Sequence, residues 1–230
     1  LNFQELEETL EPLMGELNKR ILTSLVLISI IYLSLINSTF LIFFLSLISF
    51  FALVEFNYIF KKLFKNKDFL KFILIVLSLI YLIIFSVCIW IFLIPINNTK
   101  ITSLLFILLL CVTTDIGGYV FGKLIGGKKL TKISPNKTYS GVLGSFVFSI
   151  IFGSLYIFYL KISLNFEINY FIVIIVVSLT SQIGDLIISL FKRKAKIKDT
   201  GSILPGHGGI LDRIDGILLA LPIGLLLISI

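Results

Sequence analysis

Charge, histidine and cysteine are all scarce in this sequence of 230 residues, and each scarcity excludes something. Charged residues make up 14% of the chain, well below the quarter usual in soluble domains, so they cannot supply a polar skin. The two cysteines, Cys88 and Cys111, lie inside apolar runs and lack metal-ligand spacing, which reads as buried apolar thiol. Period-two alternation is missing too: the apolar runs are continuous, which excludes a membrane barrel. No small-residue cleavage site follows the first run, and further runs come after it, so it does not read as a cleavable signal.

What is present is hydrocarbon. The chain is 57% hydrophobic, with a mean hydropathy of +1.08. Runs of roughly 17–25 apolar residues match a lipid core about 30 Å thick, and in lipid every backbone polar group must be paired within the chain. The expected fold is therefore all-α, a polytopic integral membrane bundle of about seven or more transmembrane helices. The spans read as Ile21–Ile36, Phe40–Phe56, Phe72–Ile96, Ile101–Phe121, Val142–Leu160, Phe171–Phe191 and Ile214–Ile230. Asn37-Ser38-Thr39 reads as a tight turn between the first two. Residues 1–18 form an acidic extension and 19–230 a single membrane domain. Leu1 in place of an initiator methionine, and a last span that stops at the chain end, point to a longer gene product.

The formal charge of +7 is distributed by side. Eighteen of the 20 basic residues fall before the first span or in the segments after the second, fourth and sixth; only Lys100 and Lys161 lie in the alternate loops. The positive-inside rule places the amino terminus and the three basic segments in the cytoplasm. For Lys61–Lys71 topology is explanation enough. The segments at 123–137 and 192–213 also carry motifs, and their charge would attract an acidic nucleotide or an anionic lipid headgroup.

An ionisable side chain at membrane depth costs at least about 2.5–3.5 kcal/mol, so each one is a candidate for function. Glu55 stands near the cytoplasmic end of the second span, where it would reach the interface or pair with Lys61 or Lys62. Asp115 lies in the fourth span beside Thr113 and Thr114; Tyr119, one turn on, would donate to it or sit among headgroups. Asp185 shares a helix face with Ser178, Ser181 and Ser189. Those hydroxyls alone would serve as glue between helices, but glue does not require a carboxylate. Gly118, Gly122 and Gly126 have the spacing of a small-residue packing seam.

Two loops complete the pattern. Ser134-Pro135-Asn136-Lys137-Thr138 enters the fifth span, and a lysine with hydroxyls at a helix entrance makes a phosphate site, although Thr138 or Ser140 would equally serve as a plain helix cap. The denser constellation runs from Lys198-Asp199 through Gly206-His207-Gly208-Gly209 to Asp212-Arg213-Ile214-Asp215. Its glycines allow backbone shapes that side chains forbid, and they surround the only histidine. Asp212 would cap the last helix with Asp215 at the third helical position, but a cap explains neither the glycine loop nor Arg213 between the acids.

These residues resemble the signature of the phosphatidate cytidylyltransferase (CDP-diglyceride synthase) family. The match runs from Ser189-Leu190-Phe191-Lys192-Arg193 through the two clusters above to Asp215. Asp115–Lys123 and Ser134–Thr138 are similar to the family's earlier motifs, with Gly118 where alanine is common and Tyr139 where tryptophan is common. The resemblance implies transfer from CTP to phosphatidic acid, giving CDP-diacylglycerol and pyrophosphate. It implies Mg²⁺ as cofactor, as two divalent ions or one with a monovalent cation, and metal ligation by Asp185 and Asp212. Asp115 and Asp215 would support those ligands. Lys137, Lys192, Arg193 and Arg213 would hold phosphates, while His207, Gly206, Gly208 and Gly209 would shape the nucleotide pocket. Tyr119, Ser134, Thr138, Lys198 and Asp199 complete the expected substrate-binding set. The partners implied are CTP, phosphatidic acid, the bilayer and a second copy of the chain, with no nucleic acid. The expected location is a bacterial inner membrane with the site facing the cytoplasm.

Two other readings share some of these features. A CTP-dependent polyprenol or phytol kinase, or another lipid cytidylyltransferase, would need similar motifs. An ion-coupled transporter would also bury Asp115 and Asp185, but the acids gather toward one face and no inverted repeat is visible.

Overall fold

The computed structural model of the chain describes residues 22–23, 25–26, 28–130, 137–160, 169–204 and 208–229. The expected site residues Ser134, Gly206 and His207, and the acidic extension, lie outside that set. Residues 28–36 are helical and belong to α1. There follow α2 (Ser38–Leu63), α3 (Asp68–Leu93), α4 (Asn98–Leu124), α5 (Tyr139–Leu160), α6 (Tyr170–Lys194) and α7 (Leu211–Ser229). Among the described residues, α2 to α6 are each long and apolar enough to cross a membrane. This is an all-α, polytopic integral membrane bundle.

The helices overrun the apolar runs, because backbone pairing does not stop at the lipid boundary. Thus α2 continues through Lys61 and Lys62, and α6 through Lys192, Arg193 and Lys194. Asparagines fix the opposite ends. Asn37, Asn97 and Asn169 each accept a hydrogen bond from a first-turn N–H, at Thr39, Lys100 and Phe171, and so start α2, α4 and α6. All three caps fall on the side away from the basic segments.

Lipid provides no hydrophobic drive for helix association, so close approach depends on small residues and interhelical hydrogen bonds. Large side chains such as Phe72, Ile91 and Phe158 are correspondingly left exposed on the outside of the bundle. Helix α4 packs against α5, α6 and α7. A Cβ on Gly117 would lie 2.5 Å from the Gly144 carbonyl, and one on Gly141 would lie 2.8 Å from the Gly118 carbonyl, so α4 and α5 touch backbone to backbone. Gly118 and Gly122 belong to this seam as expected, but Gly126 does not. It has φ +64° with nothing near its Cβ position, and it turns the chain out of α4 just past the helix end. Hydroxyls tie three helices together at Thr114: Ser145 Oγ donates to its carbonyl at 2.7 Å, and its own hydroxyl donates to Ser178 at 3.0 Å.

Candidate active site

Helix α6 ends at an unusual turn that shapes everything after it. Lys196 takes φ 54°, the N–H of Ile197 returns to the Lys192 carbonyl at 3.0 Å, and that of Lys196 returns to Arg193 at 3.1 Å. This is a Schellman termination with lysine where glycine is usual. It folds the segment after Ala195 back toward the start of α7. There, α6 and α7 pack as closely as their backbones allow: a Cβ on Gly184 would stand 2.5 Å from the Asp215 carbonyl, and one on Gly216 would stand 2.5 Å from Ser181 Oγ. Asp185 and Asp215, each next to one of these glycines, are thereby brought into electrostatic range of one another.

A cavity of about 310 Å³ opens between α4, α5 and α6. Asp115, Tyr119, Lys137, Thr138, Asp185 and Ser189 all line it. Lys137 Nζ pairs with Asp185 Oδ2 at 2.5 Å, and Ser189 Oγ donates to Asp185 Oδ1 at 3.1 Å. Asp115 is near enough to repel Asp185 and to be attracted by Lys137. The serine stripe on α6 therefore has two jobs. Ser178 is glue to α4, whereas Ser189 orients the carboxylate. Tyr119 turns to Lys123, whose Nζ lies 3.4 Å from its hydroxyl. Thr138 accepts from Gly141 N–H at 3.1 Å and so caps α5 as well as lining the cavity.

Asp212 is more fully engaged. Helix α7 begins at Leu211, so Asp212 sits in its first turn at the second helical position rather than before it, and Asp215 lies at the fifth. Asp212 Oδ1 accepts from Lys192 Nζ at 2.7 Å. Its Oδ2 accepts from Thr200 N–H at 2.8 Å and Gly209 N–H at 3.1 Å, and Thr200 Oγ1 lies 3.0 Å from it. The residue precedes the apolar part of α7. Burial raises its carboxyl, but the Lys192 ammonium and the Thr200 and Gly209 N–H groups prevail and hold it below its ordinary value.

Glu55 is the residue that local reading misplaced. It is 2% exposed and does not reach the interface. Its Oε1 accepts from Ile210 N–H at 2.8 Å, and its Oε2 from Leu211 N–H at 2.9 Å and from Thr200 Oγ1 at 2.6 Å. A helix start buried in the bundle needs acceptors for its orphan N–H groups, and a carboxylate from α2 provides them. Gly209 makes room for this carboxylate, since a Cβ there would lie 2.5 Å from Glu55 Oε2 and closer still to Thr200 Oγ1. Gly208, at φ +83°, lies beside Asp212. A charged residue in an apolar span was the only sequence signal for Glu55, and the partners expected from it, Lys61 or Lys62, are replaced by Thr200, Ile210 and Leu211.

The remaining expected residues separate into two settings. Arg193, Lys198 and Asp199 are exposed around the α6 terminus. Arg213 lines a different cleft, about 560 Å³ and almost wholly apolar, between α1, α2 and α7. This cleft is larger than the polar cavity but lacks its carboxylates.

Asp115 and Asp185 present carboxylate oxygens to one cavity, with Asp215 in electrostatic range of both, and oxygen donors of this kind suit a hard divalent cation such as Mg²⁺. Among the described residues no group of three His, Cys, Asp or Glu side chains is placed to hold a metal ion by itself.

The sequence profile described as the cytidylyltransferase family matches residues 59–230. The phosphatidate cytidylyltransferase of Staphylococcus haemolyticus (strain JCSC1435) is 44% identical over 121 residues, covering 52% of this chain and 46% of that protein. That of Staphylococcus saprophyticus (strain ATCC 15305) is 43% identical over 129 residues, covering 55% and 49%. That of Rickettsia bellii (strain RML369-C) is 40% identical over 157 residues, covering 64% and 68%. The matched segment spans about half the length of the staphylococcal relatives. The chain belongs to the cytidylyltransferase family.

Proposed function

We propose that this protein transfers the cytidylyl group of CTP to phosphatidic acid, giving CDP-diacylglycerol and pyrophosphate. The observation that carries the reading is the Lys137–Asp185 pair in a polar cavity that also holds Asp115, beside the Lys192–Asp212 pair. Acids and ammonium groups alternate there as a site for polyphosphate requires. The names of the relatives support the choice of substrates. An oxygen of the lipid phosphate attacks the α-phosphorus of CTP, the bond to the bridging oxygen breaks, and pyrophosphate leaves. The lipid phosphate is already anionic, so no strong general base is needed.

Mg²⁺, held by Asp185 and Asp212 with support from Asp115 and Asp215, would neutralise charge between the two phosphates. Lys137 and Lys192 bind phosphate oxygens when drawn from their carboxylates, and the exposed Arg193 joins them. Arg213, on its apolar cleft, has the setting of a lipid headgroup contact with acyl chains alongside. His207 with Gly206, Gly208 and Gly209 shapes the nucleotide pocket in this reading, and Ser134, Thr138, Tyr119, Lys198 and Asp199 complete the substrate-binding set. The distribution of basic residues supports a site facing the cytoplasm; a bacterial inner membrane, a single membrane domain of residues 19–230 and a homodimer belong to the same reading.

Purified protein incubated with radiolabelled CTP, Mg²⁺ and phosphatidic acid tests the reading. A labelled CDP-lipid is expected. Unlabelled lipid product with release of CDP on adding a polyprenol would make the protein a kinase, and no product from either lipid would return the buried acids to ion transport.

A further inference from the structure

We propose that Glu55 is a positioning residue for Asp212, acting through Thr200 and the start of α7, and that it sets how tightly the site holds a divalent cation. The inference rests on the metal role given to Asp212 above. Glu55 lies before the family-matched segment, which begins at residue 59, and its side chain has no counterpart in the motifs that identified the site.

The argument is one of shared donors. Asp212 Oδ2 is held by two backbone N–H groups, one from Thr200 and one from Gly209. These lie at the two ends of the segment that joins α6 to α7. Glu55 clasps both. It holds the first through the Thr200 hydroxyl at 2.6 Å, and the second through the Ile210 and Leu211 N–H groups at 2.8 and 2.9 Å. The Thr200 hydroxyl has one hydrogen and two carboxylates in reach; the shorter contact assigns it to Glu55 rather than to Asp212 at 3.0 Å. Thr200 is thus held by one acid while its N–H holds the other. The space for this clasp is cleared by glycine on both sides: a Cβ on Gly201 would stand 2.8 Å from Glu55 Oε1, and one on Gly209 would stand 2.5 Å from Oε2. A cation site requires its oxygen ligand in one orientation, and partners that orient a ligand typically matter 10–100-fold in affinity. Lys192 fixes only the other oxygen of Asp212.

The test is Mn²⁺ binding to the full purified chain in detergent, followed by electron paramagnetic resonance without substrate, with elution profile and thermal unfolding recorded alongside. Thr200→Val is expected to weaken Mn²⁺ binding about tenfold with an unchanged elution profile, and Thr200→Ser to restore it. Glu55→Gln, which turns an amide N–H₂ toward N–H donors, is expected to weaken it at least as much. Glu55→Asp, a methylene short, should not rescue. Should Glu55→Gln fail to fold, the Thr200 pair decides alone. Wild-type Mn²⁺ affinity in folded Thr200→Val overturns the proposal while Asp212→Asn still shows weakened binding. Wild-type affinity in Asp212→Asn overturns it together with the metal role of Asp212, and CDP-lipid formation by the wild type, measured separately, then judges the reaction itself.

Discussion

The hydroxyl of Tyr81, on α3, donates to the carbonyl of Leu218, on α7, at 2.5 Å. That carbonyl is the one Pro222 cannot satisfy, because proline lacks the N–H that would return four residues along the helix. A freed carbonyl at membrane depth must find another donor, and α3 supplies it. Tyr81→Phe should therefore destabilise the protein by about 1–2 kcal/mol. Pro222→Ala restores the helical N–H, so Tyr81→Phe in that background should cost much less. Thermal unfolding of the four proteins in one detergent gives the coupling.

Gly184 is expected to tolerate no side chain. The atom a new Cβ would meet is the Asp215 backbone carbonyl, which cannot swing aside. Gly184→Ala should push α6 from α7, cost about 1–3 kcal/mol, and reduce turnover by separating Asp185 from Asp215. Gly126→Asn is the control. It stands in open space at φ +64°, a conformation asparagine adopts readily, and should leave both measurements near wild type.

Lys137 and Asp185 should fail separately but not additively. Lys137→Met leaves the half-buried Asp185 without its ammonium, and Asp185→Asn leaves Lys137 without its carboxylate. Each is expected to lower CDP-lipid formation at least about a hundredfold, and the double variant little further, since both act on one site. Turnover within a few-fold of wild type in folded Asp185→Asn would remove it from the metal assignment.

Chelation offers a check that needs no variant. Excess EDTA should abolish CDP-lipid formation and added Mg²⁺ should restore it, because repulsion between the anionic lipid phosphate and the triphosphate of CTP is the main barrier. Ca²⁺, larger and less demanding of octahedral geometry, should restore it poorly.

Much of this was legible from residues read in order. The apolar runs gave the positions of α2 to α6, since hydrocarbon thickness sets helix length regardless of neighbours. Lysine placement supplies an expected orientation, with the basic segments toward the cytoplasm. Asp115 and Asp185 announced themselves as carboxylates that lipid would otherwise reject, and the structure brings both to one cavity. Helix ends were less legible, because α2 and α6 run on into charged residues whose side chains reach water while their backbones stay paired. Glu55 was visible as a cost but not as a clasp. Its partners lie 145 to 156 residues away, and no periodicity records a contact of that range.

The sequence by itself determined that this chain lives in lipid, which ends face the basic side, and which side chains are too costly to be idle. Those properties depend on transfer from water to hydrocarbon, which each residue undergoes on its own. Tertiary structure alone decided the pairings: Lys137 with Asp185, Lys192 with Asp212, Tyr81 with Leu218, and Glu55 with the start of α7. Interhelical contact in lipid depends on where backbones can approach, and glycine seams at α4–α5 and α6–α7 set that in three dimensions.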